Sequence, residues 1–553
     1  MRRSPKATAS NFTPEVNGVT PRTADTSTPA SVVAKPIPCS AVAPPPTRQP
    51  QWPGSLNTPA LNHRPSRNQN SNFSRTELPT PVYAEGLEYH LHRIAYDPVA
   101  TKYLVNGFRY GFPLGHTADV QDSFGVNSRN LLLKENIVQD KLNAEIAAGR
   151  IVGPFADPPF TPLHISPLNI RPKKSHNRYR LLHNLSHPYD GNSVNANIPD
   201  AQKTVHYSTV GDAILKLLTL PFGSYTAKTD VADAFRLIPV QPSDYPKLGM
   251  CFQNKYYYDR ALPQGCGSSC KIFETFSSAI HAILEAYAPE VKCVHMLDDF
   301  FLMSPDYNTC ASHLDLLLAI CSDIGVPMAP EKTTVPSTTT TFLGVELDTT
   351  ARVARLPREK LDQYTSDIHS ALSHSKIRKR ELESLIGKLN FAASVVPARP
   401  FLRRLIDLLN TVEKPYFFIR LTNSVKQDLL TWLQFLATYN GVTYFRALGV
   451  ADSITIHMVS DASKKGFGAC YGSKWIQAPY PDTWHAHHIT LLELYPVFVL
   501  IHIFGPLMKN SNILFHCDNS AVTAILNKQS SKDKNVMAIV RPLVLLLVDL
   551  IIN

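Results

Sequence analysis

A pair of adjacent acids between two short apolar runs limits the fold more than any other feature of the sequence. Val291 to Met296 and Phe300 to Met303 have the composition of strands, and Asp298 and Asp299 stand in the gap between them. Two such runs around a tight polar turn predict a β-hairpin. The run Tyr225 to Asp230 is also extended in pattern and ends on an acid. If the three strands are neighbours, three carboxylates meet at one end of a sheet.

Three converging carboxylates repel one another unless cations lie between them. Two Mg²⁺ or Mn²⁺ ions about 4 Å apart would offset that repulsion, activate a hydroxyl and stabilise a leaving pyrophosphate. The arrangement therefore points to phosphoryl transfer. An Asp pair on its own is more often a solvated turn, so the surrounding residues decide between the two interpretations.

Helical and extended patterns alternate around these acids. Asn130 to Arg150 and Ser268 to Ala288 carry apolar residues at helical spacing. Residues 355 to about 440 are helical in pattern, and strand patterns return from Ser453 onward. We therefore predict an α+β domain, a helical segment and then a separate α/β domain.

The first 82 residues differ from the rest of the chain. They hold 15 of the 44 prolines, with Ser, Thr and Asn filling most of the remainder, which predicts a disordered tail. Residues 1–80 contain nine Lys or Arg and three acids, so their net charge of +6 is more than half of the total of +10. Two interpretations stay open for this tail: a solubilising linker, or a weak, salt-sensitive contact with nucleic acid.

Cysteines and apolar segments indicate the compartment. The nine cysteines are scattered, with no CxxC pair, which favours a reducing compartment. The start of the chain does not resemble a secretory signal, and the most apolar segments are interrupted by charged residues and proline. We expect no membrane partner and a cytoplasmic or nuclear location, or both.

The motifs around the three acids resemble, in order along the chain, those of reverse transcriptases. The matching stretches are TDVADAF, ALPQGCGSSCKIF, MLDD, GVPMAPEKT and TFLGVELD. The resemblance implies a right-hand polymerase with fingers, palm and thumb. It also implies that Asp230, Asp298 and Asp299, with the backbone of Val231, bind two Mg²⁺ or Mn²⁺ ions. Met296 stands where the family most often has Tyr, so we expect altered primer packing rather than lost metal binding.

The same resemblance implies roles for residues that would contact the nucleotide. IRPKKSHNRYR looks like the fingers segment, which would place Lys173 and Arg180 on the triphosphate. Phe235 occupies the position of the steric gate against a ribose 2′-hydroxyl, with core packing as the alternative. Gln264 and Gly265 would contact nucleotide and template.

One further residue of the polymerase motifs is a candidate for proton transfer. Lys332, in GVPMAPEKT, would donate a proton to the departing pyrophosphate if the resemblance extends to this position. An ordinary surface lysine is the alternative.

A second acidic set lies downstream, where HMVSDASKKGFGACYG, ITLLELYPVF and ILFHCDNSAV resemble motifs of ribonuclease H. The resemblance implies that Asp461, Glu493 and Asp518 bind metal and direct water at an RNA phosphodiester. That family normally supplies a fourth carboxylate well beyond the third, and only 35 residues follow Asp518. We therefore expect weak or no ribonuclease H activity, with a C-terminal apolar helix that contains Asp549 and lacks its cover.

These observations divide the chain into five predicted segments: a disordered basic tail (1–82), an N-terminal helical extension (83–150), reverse transcriptase fingers and palm (151–350), a helical thumb and connection (351–450) and a C-terminally truncated α/β ribonuclease H-like domain (451–553). The predicted function is that of an RNA-directed DNA polymerase from a retrotransposon, DIRS-like or gypsy-like. Its partners would be an RNA template, a DNA primer, an RNA–DNA hybrid, deoxynucleoside triphosphates and other element-encoded proteins. The alternative is a non-catalytic, nucleic-acid-binding remnant of a retroelement.

Overall fold

The computed structural model describes residues 78–172, 179–441, 455–509 and 511–550. Most of the predicted tail, and Lys173 of the predicted fingers segment, lie outside these ranges. The helices are α1 Ala84–Arg93, α2 Pro98–Tyr110, α3 Arg129–Leu132, α4 Glu135–Ala147, α5 Asp200–Lys203, α6 Val210–Leu218, α7 Ser269–Tyr287, α8 Tyr307–Ile324, α9 Arg358–Ser373, α10 Lys379–Ala392, α11 Arg403–Leu409, α12 Asn423–Thr438, α13 Ile489–Phe504, α14 Ser520–Lys528 and α15 Lys534–Leu550.

The strands form several separate sheets. They are β1 Ser123–Phe124, β2 Ile151–Phe155, β3 His164–Ile165, β4 Leu168–Pro172, β5 Tyr179–His183, β6 Tyr225–Asp230, β7 Gly249–Phe252, β8 Lys255–Asp259, β9 Lys292–Met296, β10 Asp299–Ser304, β11 Thr339–Phe342, β12 Val345–Asp348, β13 Val353–Arg355, β14 Lys376–Arg378, β15 Phe418–Arg420, β16 Thr455–Ala462, β17 Gly466–Tyr471, β18 Lys474–Pro479 and β19 Asn512–His516. Short 3₁₀ turns connect some of them, including Ala234–Leu237 and Pro330–Lys332.

The acids lie on a three-stranded antiparallel sheet of order β6-β10-β9. This confirms the predicted hairpin and its predicted neighbour strand. Helix α7 packs against the sheet with a fully apolar stripe, because residues spaced three and four apart along a helix share one face. The stripe residues of α7 are all buried, as the spacing predicted: Ile272, Phe276, Ala279, Ile280 and Ile283.

The strands that precede α7, other than β6, form a second sheet of order β1-β3-β7-β8-β2 and a two-stranded ribbon of β4 and β5. Helices α3 and α4 lie against them, and here the prediction of one helix from Asn130 to Arg150 is wrong. The helix breaks at Leu133 and Lys134, where the Lys134 ammonium lies 4.6 Å from the centroid of the Tyr179 ring and donates to its hydroxyl. That contact joins residues distant in sequence, so local periodicity does not reveal it.

Residues 355–441 are mainly helical, as predicted, and pack around the buried Trp432 of α12. The sequence patterns did not predict the two-stranded antiparallel ribbon that β14 and β15 add to this segment.

The C-terminal α/β domain has a four-stranded sheet of order β18-β17-β16-β19, in which β16 and β19 run parallel. Helix α13 packs on this sheet. The segment Ile489–Met508 is long and apolar enough to cross a membrane by length and composition, but half of it is buried inside the protein. Helix α15 lies beside α13, and the expectation that it lacks a cover is wrong, since one side of it is buried: Val536, Met537, Ile539, Val540, Leu543, Val544 and Val548.

Candidate active site

Strand register brings the three predicted acids of the first sheet together. Asp299 at the start of β10 is the direct partner of Asp230 at the end of β6. Asp298 lies in the adjoining turn, and its carbonyl accepts a hydrogen bond of 3.0 Å from the backbone N–H of Val231. Leu297, which precedes it, has a left-handed backbone with φ of 54°. The turn therefore directs two consecutive carboxylates toward the end of β6.

These three carboxylates interact electrostatically. Asp230 is 5% exposed. Burial and the charge of Asp230 raise the pKa of Asp298. Burial, a hydrogen bond with Asp230 and the charges of both neighbours raise the pKa of Asp299 to about 6. The site therefore disfavours three simultaneous negative charges in the absence of a cation.

Lys332 supplies one positive charge at this cluster. Its ammonium donates a hydrogen bond of 2.6 Å to Asp230 Oδ1, although the side chain is 53% exposed. Partial burial opposes the charge, but the hydrogen bond to Asp230 and the three carboxylates outweigh it and raise the pKa of Lys332. The backbone holds this lysine close, because the N–H of Ala329 donates to the carbonyl of Asp230 at 2.8 Å.

The donor set suits hard divalent cations. Mg²⁺ and Mn²⁺ prefer carboxylate and carbonyl oxygens, and the site offers three carboxylates within two paired strands and one turn. Two of these carboxylates have raised pKa values. Burial is the largest cause of both shifts and repulsion between the acids adds to it, and bound cations would offset that repulsion. The residues present therefore fit a site for divalent metal ions.

The other predicted polymerase residues occupy different positions around the sheet. Arg180 is exposed on β5, and its charge acts on Asp298. Phe235 is half-buried and packs edge-on against Phe273 of α7, with 5.4 Å between ring centroids. Gln264 is exposed. At Gly265 a Cβ atom would lie 1.9 Å from the carbonyl oxygen of His183, so only glycine fits there.

One residue at the centre was not predicted. Glu274 of α7 accepts a hydrogen bond of 2.9 Å from the N–H of Leu297, in the turn that carries Asp298. Its other oxygen lies 3.3 Å from His295 Nε2, and His295 Nδ1 lies 2.7 Å from His281 Nδ1. In the sequence, the signal for Glu274 was an acidic residue next to the apolar stripe of α7.

A second acidic cluster forms in the C-terminal domain. Glu493 of α13, Cys517 and Asp518 each offer a ligand atom, and these atoms lie within 4.8 Å of one another. Asp461 belongs to the same region, because β16 and β19 run parallel in register and Asp461 and Asp518 follow their paired ends. Burial raises the pKa of the Cys517 thiol, and the carboxylates of Glu493, Asp518 and Asp461 raise it further.

This second cluster also fits a metal ion. Glu493 Oε2 is buried and has no hydrogen-bond partner. A buried carboxylate oxygen without a partner is costly, and a cation would satisfy it.

Comparisons with known proteins bear on the polymerase region. Residues 172–347 match the family model described as reverse transcriptase (RNA-dependent DNA polymerase). Protein P of duck hepatitis B virus (strain China) is 25% identical over 236 residues, which are 42% of this chain and 27% of that protein. The Pro-Pol polyprotein of feline foamy virus is 24% identical over 176 residues, which are 32% of this chain and 14% of that polyprotein. The chain thus spans at most about a quarter of the length of these relatives.

A solved structure shares the fold. The foamy viral protease-reverse transcriptase in complex with an RNA/DNA hybrid aligns over 83% of this chain and 61% of that chain, with a TM-score of 0.51 and 15% identity. This likeness establishes a mixed helix and sheet polymerase fold.

Proposed function

We infer, from the reverse transcriptase domain that residues 172–347 form, that this chain is an RNA-directed DNA polymerase. The observation that carries the proposal is the strand register that pairs Asp299 with Asp230 and places Asp298 in the adjoining turn. In a solvated Asp-Asp turn, both acids would be exposed and would keep their ordinary pKa values. Here both acids are partly buried, and both have raised pKa values.

The chain's own residues would perform the following steps. Asp230, Asp298 and Asp299 would hold divalent cations, which when bound activate the primer hydroxyl and stabilise the leaving pyrophosphate. Lys332 keeps its proton because carboxylates surround it, so it is placed to donate that proton to the departing group. Arg180, whose charge acts on Asp298, would contribute positive charge near the bound nucleotide.

Primer extension tests the proposal. Purified chain should extend a DNA primer on an RNA template with deoxynucleoside triphosphates only when Mg²⁺ or Mn²⁺ is present. Asp298→Asn should lower the rate by about 10³-fold or more while template–primer binding survives, because the lost charge is needed chiefly in the transition state. Asp157→Asn, an exposed acid on the N-terminal side, is the matched control and should extend normally. Equal activity in the wild type and Asp298→Asn would refute the assigned site and leave the remnant hypothesis.

The type of element is a separate proposal. The stretches SLIGKLNFAASVVPARPFLRRL and RLLHNLSHPYDGNSVNANIP look most like those of DIRS-like or related gypsy-like retrotransposons, whereas the curated relatives named above are viral. Sequencing the reading frames beside this one tests the proposal: a tyrosine-recombinase gene would support a DIRS-like element, and the absence of both a recombinase and an integrase gene would refute the proposal.

The C-terminal cluster supports a second activity, cleavage of the RNA strand of an RNA–DNA hybrid. The buried, unpartnered oxygen of Glu493 beside Asp518 and Asp461 favours it. Metal-dependent cleavage of a labelled hybrid should be lost in Asp461→Asn and kept in Asp298→Asn, because the two clusters are separate. The same assay measures the rate of cleavage. Cleavage that persists in Asp461→Asn would refute the site.

A further inference from the structure

An exposed strip of aromatic and basic side chains lies on the β14-β15 ribbon, away from both acidic clusters in sequence. We call residues 374–380 and 413–420 the aromatic ribbon. Ile377 pairs with Ile419, and both are buried in the core of the helical segment. Since side chains alternate along a strand, the flanking residues point outward, and all are exposed: Lys376, Arg378, Phe418 and Arg420.

Three consecutive aromatic rings extend this outward face. Tyr416, Phe417 and Phe418 are 61%, 48% and 58% exposed. The Arg378 guanidinium lies 5.4 Å from the centroid of the Phe418 ring, and the Lys414 ammonium lies 5.8 Å from that of Phe417. Large aromatic residues in a row are usually buried, so their exposure beside cations indicates a binding surface.

Backbone hydrogen bonds hold the strip against the start of α10. The N–H of Lys379 donates to the carbonyl of Phe417 at 2.8 Å, and the N–H of Arg380 donates to that of Pro415 at 3.0 Å. The Lys379 ammonium donates to the carbonyl of Glu413. The rings are therefore presented on a fixed backbone, which lowers the entropic cost of binding.

A groove runs beside Phe418, between α9 and α10. Its lining includes four cationic side chains: Lys376, Arg378, Arg380 and Lys388. Lys388 is paired with Asp367 at 2.6 Å. The aromatic ribbon itself holds six Lys or Arg, with Glu413 as its one acid and Glu381 as a neighbour. The surface is thus cationic and also offers open π faces.

We propose that the aromatic ribbon binds single-stranded nucleic acid, with bases stacked on Phe417 and Phe418 and phosphates in the adjacent cationic groove. Stacking on aromatic rings and backbone contact with Lys and Arg are the two means by which proteins bind single strands without reading sequence. Six Lys or Arg against one acid favour a polyanion over a protein as the partner. The aromatic ribbon does not include the three acids of the polymerase site, and the proposed binding of single strands is an activity beyond the proposed polymerase function.

The test uses the full chain and a fluorescent oligouridylate, with excess unlabelled blunt RNA–DNA hybrid present to occupy the polymerase cleft. The double variant Phe417→Ala/Phe418→Ala should weaken binding about tenfold or more, since both rings on which bases would stack are removed. Phe417→Leu/Phe418→Leu keeps apolar bulk but removes the rings, so it should show a similar loss even if the alanine variant melts early. The triple variant Lys376→Gln/Arg378→Gln/Arg420→Gln should lower the slope of log K against log salt by about 2.

Phe222→Ala is the matched control. Phe222 is 67% exposed, and the Arg352 guanidinium lies 4.0 Å from the centroid of its ring, but it is outside the aromatic ribbon. It should bind like the wild type, and so should Asp298→Asn, which separates this proposal from the polymerase assignment. Crosslinks from 4-thiouridine RNA should map to Tyr416, Phe417 or Phe418. The proposal would be overturned if the leucine variant melted like the wild type and bound RNA with unchanged affinity. It would also be overturned if the ribbon variants lost self-association but kept their affinity for RNA.

Discussion

Leu297 adopts a left-handed backbone that leucine rarely takes, and Glu274 holds it there. Because leucine has a Cβ atom, this conformation costs about 1 kcal/mol or more, so it needs a compensating contact. The carboxylate of Glu274 supplies that contact through the N–H of Leu297. The direction of Asp298, the next residue, therefore depends on a side chain that is not one of the three clustered acids.

Removing this carboxylate should slow catalysis without weakening substrate binding. We expect Glu274→Ala to lower kcat about 10- to 100-fold, because a displacement near 1 Å in a reacting group has an effect of that size. The KM for the nucleotide should change little. Glu274→Gln retains an oxygen acceptor for the Leu297 N–H and should recover most of the rate. Steady-state primer extension measures both constants.

The control for this variant is on the same helix. Glu285→Ala, at the exposed end of α7, should leave kcat close to that of the wild type. If Glu274→Ala and Glu274→Gln were equally slow, the negative charge of Glu274 rather than the turn geometry would be the relevant property. If both kept full activity, the contact with Leu297 would have no role in catalysis.

Sequence reasoning located the acids but not the residue that orients them. Asp230, Asp298 and Asp299 carry a recognisable spacing and stand at strand ends. Glu274 acts through a hydrogen bond that exists only once α7 has packed behind the hairpin. Cys517 was missed for a similar reason, since only the fold brings its sulfur near Glu493.

At the scale of elements, the raised pKa of Asp299 in the β9-β10 hairpin predicts that metal binding there depends on pH. The pKa of Asp299 is raised to about 6, first by burial and then by Asp230. The ionised form is thus disfavoured in the folded, metal-free protein. The contribution of Asp299 to stability is most favourable below the unfolded pKa near 4 and declines as the pH rises toward 6. A bound cation reverses this penalty, because it favours the ionised form.

We therefore expect Mn²⁺ to raise the melting temperature clearly at pH 7.5 and progressively less below pH 6, where protons compete for Asp299. Asp299→Asn should show a smaller Mn²⁺ effect with a flatter pH dependence. Thermal melts with and without Mn²⁺ between pH 5 and 8 measure this. A Mn²⁺ effect that stayed constant across that range would mean that protons and metal do not share this carboxylate.

Elements with strong, long periodic patterns were predictable and others were not. The apolar stripe of α7 and the runs of β6, β9 and β10 agree with the structure almost to the residue. The three-residue strands β14 and β15 are too short to produce a pattern, and they form only because Lys376–Arg378 pair with Phe418–Arg420, which are distant in sequence. The break between α3 and α4 likewise depends on the contact of Lys134 with Tyr179.

At the scale of the whole molecule, polar contacts join the helical segment to the C-terminal helix. Asp428 of α12 lies 3.0 Å from Arg404 and 4.0 Å from Arg541 of α15. Tyr439 also donates a hydrogen bond to Asp549. These contacts and the buried side of α15 contradict the sequence-based picture of an uncovered helix. That picture did not include the 3₁₀ turn Arg399–Leu402 of the helical segment, which lies against α15 together with α13.

The pKa of Asp428 gives this junction a pH dependence that can be measured. Burial raises the pKa of Asp428 to about 6 despite the two arginines. At pH 7.5 the carboxylate is ionised and attracts Arg541, whereas at pH 5 it is largely protonated and this attraction is lost. Because its folded pKa is raised, Asp428 reduces the free energy of unfolding as pH rises from about 4 to about 6.

We expect Arg541→Met to lower the free energy of unfolding by about 1–3 kcal/mol at pH 7.5, because it leaves a buried carboxylate with one partner fewer. The loss should be much smaller at pH 5. The double variant Asp428→Asn/Arg541→Met should recover most of it at pH 7.5, since the charge left without its partner, that of Arg404, is on a side chain that is 41% exposed. Arg358→Met, in an exposed pair with Asp362, is the control and should change little at either pH. Equal losses for Arg541→Met at both pH values in urea titrations would instead assign its effect to packing of the long side chain, and the charge coupling between α12 and α15 would then be absent.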